Sequence, residues 1–378
     1  MDTIKKTKTL NLNIETNRRL IFVSDIHGDL FTFQRGLDEV GFNDNDYLFI
    51  IGDIHEKGDS GMNLKTLRYV IELSKKDNVY VLAGNCDEVF RFILPYDAKD
   101  KFLYYANIKK HSIINDIADE LNYKLDMDMN VRDFVNTVVS KYHEFYEFMD
   151  SLYDVVTINN KIVLVHGGID DLNNIPKYSL SLLKYDRFYE LSNKKEKLMI
   201  VGHYPTRNYR RDVSCCNPIF DFQKNIISID GGNHIVKGGQ INFVMLDNLN
   251  DMNFSFKYTD HYPKYVMRTD VSYQMPKEKI SLSYNDNEVE IIDVDLDFYL
   301  VKHVKTNIEM WVHKSFVYQD EETLKYYAND ASNNFISVRK GDVVSIIKKA
   351  NPYSVIKHDG YIGLIDTSYL LNDNKLQS

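Results

Sequence analysis

Six side chains along this sequence are of types that hold metal ions: Asp25, His27, Asp53, Asn85, His166 and His203. Asp25 and His27 stand two residues apart, so an extended backbone turns both to the same side. One carboxylate and one imidazole there can grip a single cation. Asp53 brings two oxygens, enough to bridge two cations. Asn85 adds a neutral oxygen, and His166 and His203 add nitrogens. The set has no obligatory thiolate. A mixed oxygen and nitrogen shell suits Mn, Fe or Zn better than Ca or an iron–sulfur cluster. Two such ions about 3.5–4 Å apart can activate a shared water and clamp a phosphoryl group.

The elements that must position these groups recur along the chain. "RLIFVSDIHGDL" is an apolar run from Leu20 to Val23 that leads to Asp25 and His27. "YLFIIGDIHEKG" leads to Asp53, "VYVLAGNCDE" to Asn85, "KIVLVHGGID" to His166, and "LMIVGHYPT" to His203. "IISIDGGNH" ends the same way at Asp230. Short continuous runs rich in Val and Ile read as strands buried on both faces. Helical periodicity lies between several of them, from Leu30 to Val40, from Met62 to Ser74, and in a long stretch between Phe90 and Tyr153. Strands alternating with helices predict an α/β layered fold. Such sheets place ligands beyond the carboxyl ends of their strands, where each of these side chains stands. A lone histidine, or a Gly-Asp after a strand, is ordinary turn or core chemistry. Their recurrence at successive strand ends is what carries the metal reading.

"VLAGNCDE" places Asn85, Cys86, Asp87 and Glu88 directly after a strand. Cys86 admits several roles: nucleophile, proton donor, metal ligand, or a small space-filler. Nothing in the sequence shows the lowered thiol pKa that a nucleophile needs. His55, two residues beyond Asp53, carries an imidazole that titrates near neutrality and could serve as a proton donor. The alternative is that it points into solvent. His55 and Asp87, with Cys86, are the candidate catalytic groups.

"DIHGD", "GDIHEKG", "GNCDE", "HGG" and "GHYPT", in this order, resemble the calcineurin-like metallophosphoesterases. The closer likeness is to the branch holding Ser/Thr protein phosphatases and bacterial diadenosine-tetraphosphatase-like enzymes. The resemblance spans about residues 20–246. It implies a four-layer α/β/β/α sandwich with a dimetal site. In that site Asp25, His27 and Asp53 hold the first ion, and Asp53, Asn85, His166 and His203 hold the second. The implied cofactors are two divalent ions, Mn first, with Fe or Zn as alternatives. Asp230 then reads as a group behind the ligands. The sequence departs from the family at three places. Cys86 replaces a histidine general acid, Glu56 replaces the aspartate that orients it, and Lys57 replaces a phosphate-binding arginine. Lys57 remains the phosphate-binding candidate at that position. "LLKYDRFYE" resembles a segment of the tetraphosphatase-like branch and points to Arg187 as a second. Arg207, Arg210 and Arg211, in "TRNYRR", read by default as a solvated loop.

The C-terminal third changes character. "ISLSYNDNEVEIID" matches "ISVRKGDVVSIIKK", and "MWVHKSFV" matches "IGLIDTSYL", in the same order, which marks an internal repeat. Short strands between turn residues predict small all-β barrels. The second copy resembles SH3 domains. The expected division is therefore residues 1–260 as catalytic domain with a helical insert at about 90–155, then SH3-like barrels at 265–320 and 321–378. Trp311, the single tryptophan, reads as a core anchor.

A net charge of −9 argues against a general nucleic-acid or anionic-membrane binder. Three cysteines form no disulfide framework, and no apolar run is long enough to span a bilayer, so a cytoplasmic protein is expected. The leading functional expectation is a dimetal phosphomonoesterase of the Ser/Thr phosphoprotein phosphatase type, attacking phosphorus with a metal-bridging hydroxide. Its substrate would be a phosphorylated protein or a small phosphate ester. The first alternative is a symmetrical diadenosine-polyphosphate or other phosphoanhydride hydrolase. The second, from another class, is a metal-bound scaffold that has lost turnover and recruits protein partners through its SH3-like domains.

Overall fold

The apolar runs that precede the candidate ligands fold as strands. In the computed structural model, which describes residues 6–89, 99–108 and 111–370, they build two sheets. One sheet orders Phe254–Thr259, Ile241–Leu246, Leu20–Val23, Tyr47–Ile51 and Val79–Leu82. Leu20–Val23, Tyr47–Ile51 and Val79–Leu82 run parallel, so their carboxyl ends fall on one edge. The other sheet orders Thr9–Leu12, Val155–Ile158, Ile162–Val165, Leu198–Val201, Ile226–Ser228 and Ile219–Asp221. Ile162–Val165 and Leu198–Val201 are again parallel neighbours.

The alternation of side chains sorts the core into layers. Phe22, Phe49, Ile51, Ile158, Leu164 and Ile200 meet between the two sheets. Ile21, Val23, Leu48 and Ile50 face the other way, onto helices. Those helices follow the predicted spacing. Leu30–Val40 buries Phe33, Leu37 and Val40, starts at Asp29, whose side chain accepts from the Thr32 amide, and stops at Gly41 in the left-handed region. Met62–Leu73 is the second, and Ser74 caps it. The insert contributes Lys99–Ile108, Ile113–Glu120, Val131–Lys141 and His143–Ser151. Phe134, Val138 and Phe145 tie it to the same core. The start of the insert, residues 90–98, and residues 109–110 lie outside the described residues. Val163, Val165 and Met199 pack on the outer face of the second sheet with Leu182 and Phe188 from two short helices.

The chain divides into two compact units, and the division does not follow chain order. The first takes the chain through Tyr204, then Pro218–His234 and Ile241–Thr259. The second takes Pro205–Asn217, Ile235–Gln240 and everything from Asp260 onward. Before residue 260, Pro205–Asn217 and Ile235–Gln240 group with the second unit.

The second unit is mostly strand. Lys264–Val266, Val343–Lys348, Tyr353–His358, Tyr361–Asp366 and Ser214–Cys215 form one antiparallel sheet. Glu309–His313, Phe298–His303, Glu288–Val294, Tyr326–Ala328 and Val317–Gln319 form another. The repeat is visible in the order of elements. Glu288–Val294 carries a bulge at Ile291/Asp293, and Val343–Lys348 carries one at Ile346/Lys348. Each is followed by two more strands and a 3₁₀ turn, Lys314–Phe316 in one copy and Thr367–Leu370 in the other. No closed barrel forms among the described residues, and strands pair across residue 320: Glu288 faces Tyr327, and Tyr265 faces Val344. Short strands bounded by turns specify pairing weakly, and here each copy completes its sheet with a strand from outside itself. Trp311 is 37% exposed, between buried Met310 and Val312, so it stands on the outward face and is no core anchor.

Candidate metal centre

Beyond the strand ends, the loops stay in register through backbone bonds. The amides of Asp25, His27 and Gly28 donate to the carbonyls of Gly52, Asp53 and Ile54 at 3.1, 3.0 and 2.9 Å. This ladder brings Asp25 and His27 alongside Asp53. Asp25, His27, Asp53 and His203 all have positive φ, at 55°, 50°, 53° and 67°. Non-glycine residues reach that region only at a cost of about 1–3 kcal/mol each, and such strain concentrates at functional sites. Two glycines make the approach possible. A Cβ on Gly84 would lie 2.1 Å from the Asp53 amide nitrogen, and one on Gly202 would lie 2.5 Å from Asp25 Oδ2.

The six candidate ligands converge. His27 Nε2 lies 3.8 Å from Asp25 Oδ1 and 3.7 Å from Asp53 Oδ2. His166 Nε2 lies 3.3 Å from Asp53 Oδ1 and 3.2 Å from Asn85 Oδ1. His203 Nδ1 lies 2.7 Å from the same Asn85 oxygen. Two groups of ligand atoms at this centre fall within 4.8 Å: His27, Asp53 and Cys86, and Asp25, Asp53 and His166. Asp53 belongs to both.

Both imidazoles at His166 and His203 are oriented from behind. His166 Nδ1–H donates to the Ile51 carbonyl at 2.8 Å, which turns Nε2 toward Asp53. His203 Nε2 bonds Asp186 at 2.8 Å, which turns Nδ1 toward Asn85. The two rings stand 5.3 Å apart.

Asp25 Oδ1 and both ring nitrogens of His27 are buried without a hydrogen-bond partner. Asp25 Oδ2, by contrast, accepts from Ser24 Oγ and from the His203 amide. Buried polar atoms without a partner are costly unless something completes them. The residues present therefore fit a divalent cation pair.

Burial and mutual charge also shift the titration of these groups. Burial, then the Asp230 carboxylate, push Asp25 well above the usual carboxylate range. Burial, then the Lys57 ammonium, push His27 well below its usual value, so it is a neutral imidazole. Burial opposes charge on His166, but the Asp53 carboxylate outweighs it and raises the imidazole to about 10. Burial lifts Asp230 to about 6, and its Oδ2 is a further buried acceptor without a partner.

The remaining candidates take varied places. Asp87 is buried, and its oxygens accept the amides of Asp53, Ile54 and Gly84 at 2.8, 2.9 and 2.8 Å. It pins the Asp53 and Asn85 loops together. His55 does not point into solvent. It is fully buried, with Nδ1 3.7 Å from Glu56 and Nε2 3.8 Å from Asp87. Burial lowers its pKa, but the neighbouring Glu56 and Asp87 carboxylates outweigh that and raise it. Glu56 accepts from Ser112 Oγ, the Ile113 amide and the Tyr105 hydroxyl at 3.0, 2.9 and 2.9 Å, all from the helical insert. Lys57 follows at φ 70°. Burial works against its charge, and the Cys86, Asp53, Asp25 and Asp230 side chains outweigh it, so its ammonium sits in the field of the cluster.

The Arg187 guanidinium makes two 2.9 Å contacts with Glu190. Its neighbour Asp186 is the residue that reaches the site, which sequence reading missed in "KYDRF". Ser24 was missed as well; its only signal is a short hydroxyl side chain next to Asp25. Arg207 is no solvated loop residue. It is fully buried and paired with Asp330 at 2.9 Å, inside the second unit.

The calcineurin-like phosphoesterase family matches residues 18–224, more than half of the chain, and the chain belongs to that family. Members of this family are generally hydrolases that use a dinuclear metal site. Among its relatives, Shewanella-like protein phosphatase 1 of Plasmodium berghei is 24% identical over 58% of this chain and 52% of its own length. A symmetrical bis(5'-nucleosyl)-tetraphosphatase of Buchnera aphidicola is 42% identical, but over only 18% of this chain and 23% of its own. The chain thus spans about half, or less, of the curated relatives it matches. A solved structure of a putative diadenosine tetraphosphatase aligns with 68% of this chain and 99% of that one, at 14% identity and a TM-score of 0.42.

Proposed function

We propose that this chain is a dimetal phosphomonoesterase of the phosphoprotein phosphatase type, with Mn as the working metal. The observation that carries the reading is the convergence of unpartnered Asp25 and His27 atoms with Asp53 and His166, in two groups that share Asp53. Asp25, His27 and Asp53 would hold one ion, and Asp53, Asn85, His166 and His203 the other. Bound there, such ions polarise a phosphoryl oxygen and activate water for in-line attack.

The protein's own part is to fix this geometry. Asp87 joins two ligand loops, Ile51 and Asp186 set the imidazole faces, and Ser24 holds one Asp25 oxygen. Lys57 is proposed to receive the phosphate, as a point charge and not as a fork. His55 is enclosed by Glu56 and Asp87, which supports a positioning role over a proton-donor role. His55→Ala should then slow good and poor leaving groups alike. A larger loss for poor ones would restore it as the acid.

The match to tetraphosphatases supports a second reading, hydrolysis of a nucleoside polyphosphate. The ordered repeat of bulged strand, two strands and 3₁₀ turn supports an SH3-like reading of the C-terminal region, with docking of a protein partner as its use. Cys86, Cys215 and Cys216, present as thiols, support a reducing, cytoplasmic setting. Among the described residues no helix is long and apolar enough to cross a membrane.

The test is a chelator-stripped full chain, resupplied with Mn and offered p-nitrophenyl phosphate, a phosphoserine peptide, diadenosine tetraphosphate and bis-p-nitrophenyl phosphate. Metal-dependent turnover of the first two is expected. Preference for the dinucleotide moves the assignment to the second reading. Loading of metal with no turnover of any substrate leaves the scaffold.

A further inference from the structure

We propose that Cys86 is itself a metal ligand, its sulfur joining His27 and Asp53 around the first ion. This rests on the dimetal reading above and deepens it. The sulfur, a ring nitrogen of His27 and an oxygen of Asp53 lie within 4.8 Å of one another. That spacing lets one cation touch all three after small side-chain adjustments. His27 is fully buried, and neither ring nitrogen has a hydrogen-bond partner, so the imidazole is aimed into this cluster with nothing to bond but an ion.

The backbone holds Cys86 in place from two sides. Its amide donates to Asp53 Oδ1 at 2.8 Å, which ties the residue to the shared carboxylate. The Asn85 side-chain amide donates to the sulfur at 3.5 Å, while the Asn85 oxygen faces His203 and His166. One asparagine therefore spans both positions, with its nitrogen on the sulfur side and its oxygen on the imidazole side. On metal binding the thiol proton leaves to solvent and the sulfur lone pair takes the ion.

The two positions then differ in kind. Asn85, His166 and His203 offer oxygen and nitrogen alone. The position shared by His27, Asp53 and Cys86 adds a soft sulfur, which favours Zn, Fe or Co over Mg or Ca there. The histidine general acid of the family is on this view replaced by a ligand.

The experiment uses the full chain, stripped with chelator and titrated with Co(II). Visible d–d bands report binding, and a near-ultraviolet sulfur-to-cobalt charge-transfer band reports thiolate ligation. The expected result is a charge-transfer band in the wild type and in Cys215→Ser, and its loss in Cys86→Ser. The Cys86→Ser protein should still bind cobalt at the other position, which also shows that it is folded. Its affinity at the altered position should fall by about tenfold or more. Cobalt binding without a charge-transfer band in the wild type, or a band that survives Cys86→Ser, overturns the proposal and leaves the dimetal site standing. No cobalt bound at all overturns both.

Discussion

Two of the protein's buried clusters of charge are finished in opposite ways. In the second unit, Lys357 and Asp260 are both fully buried and paired at 2.8 Å. The ammonium also donates to the Gly238 and Gly239 carbonyls at 2.9 and 3.3 Å. Asp260 in turn accepts from the Tyr262 amide, Lys264 and Ser345 at 3.0, 2.8 and 2.9 Å. Donors and acceptors are matched within the chain. At the strand ends of the first unit the matching is incomplete, and Asp25 Oδ1 and both His27 nitrogens have no hydrogen-bond partner. A buried charge that the chain completes by itself is structural. A buried set of lone pairs that the chain leaves incomplete is built for something that arrives later.

The contrast can be broken from either side. The largest effect is expected at Asp53, which belongs to both ligand groups. Asp53→Asn should reduce metal-dependent turnover by more than the roughly 10²–10³ lost with a single electrostatic group, read as phosphate release from p-nitrophenyl phosphate. Urea unfolding should move far less, because the centre contributes little to stability until it is filled. Asp260→Asn should do the reverse. It strands the Lys357 ammonium and should destabilise by about 3–5 kcal/mol, read from the denaturation midpoint. Replacing both partners together, Asp260→Leu with Lys357→Met, should return most of that loss. No apolar pair at Asp25 and His27 should return metal binding.

Smaller effects sharpen the same line. Asp87 touches backbone amides and is proposed to touch no ion, so Asp87→Asn should weaken metal affinity by about 10–100-fold and leave the stoichiometry of loading unchanged. Acid should separate the two clusters as well. Burial alone would raise Asp260, but the Lys357 ammonium outweighs it and holds the carboxyl below its usual value. A depressed folded pKa contributes stability that is complete above about pH 4 and is lost as pH falls through the lower folded value. Fluorescence followed down to strongly acid pH should show the second unit losing that share only below the ordinary carboxylate range. The smallest effect is a control on the surface. Arg68 and Glu120 pair at 2.7 Å with both side chains more than 40% exposed, and Arg68→Ala should change stability by no more than about 1 kcal/mol.

The sequence carried the scaffold of the centre more fully than its wiring. Leu20–Val23, Tyr47–Ile51 and Leu30–Val40 fall where apolar runs and helical spacing place them, because residues buried on both faces of a strand leave a continuous signal. The ligand types were legible because each follows directly from such a strand. What each side chain bonds was not. Asp186 and Arg187 are neighbours, yet the first faces His203 and the second faces Glu190. Glu56 is turned toward Ser112, Ile113 and Tyr105 of an insert that no local pattern relates to it. Partner choice depends on which elements meet in space, and spacing along the chain does not encode that. The C-terminal repeat was legible as a repeat, whereas the exchange of Tyr326–Ala328 and Lys264–Val266 between its sheets was not, since short strands pair with whichever edge lies nearest.

Two loops of the first two-thirds of the chain belong to the β-rich unit, and one begins at Pro205, two residues after His203. Ser214 and Cys215 of that loop pair with Ile362 and Tyr361, and the Cys216 amide donates to Gly360 at 3.1 Å. A gene trimmed after residue 260 would thus not yield a trimmed first unit. It would encode a polypeptide whose strand at Ser214–Cys215 has lost its neighbour, with a raw edge downstream of His203, open to pairing with any passing copy of itself.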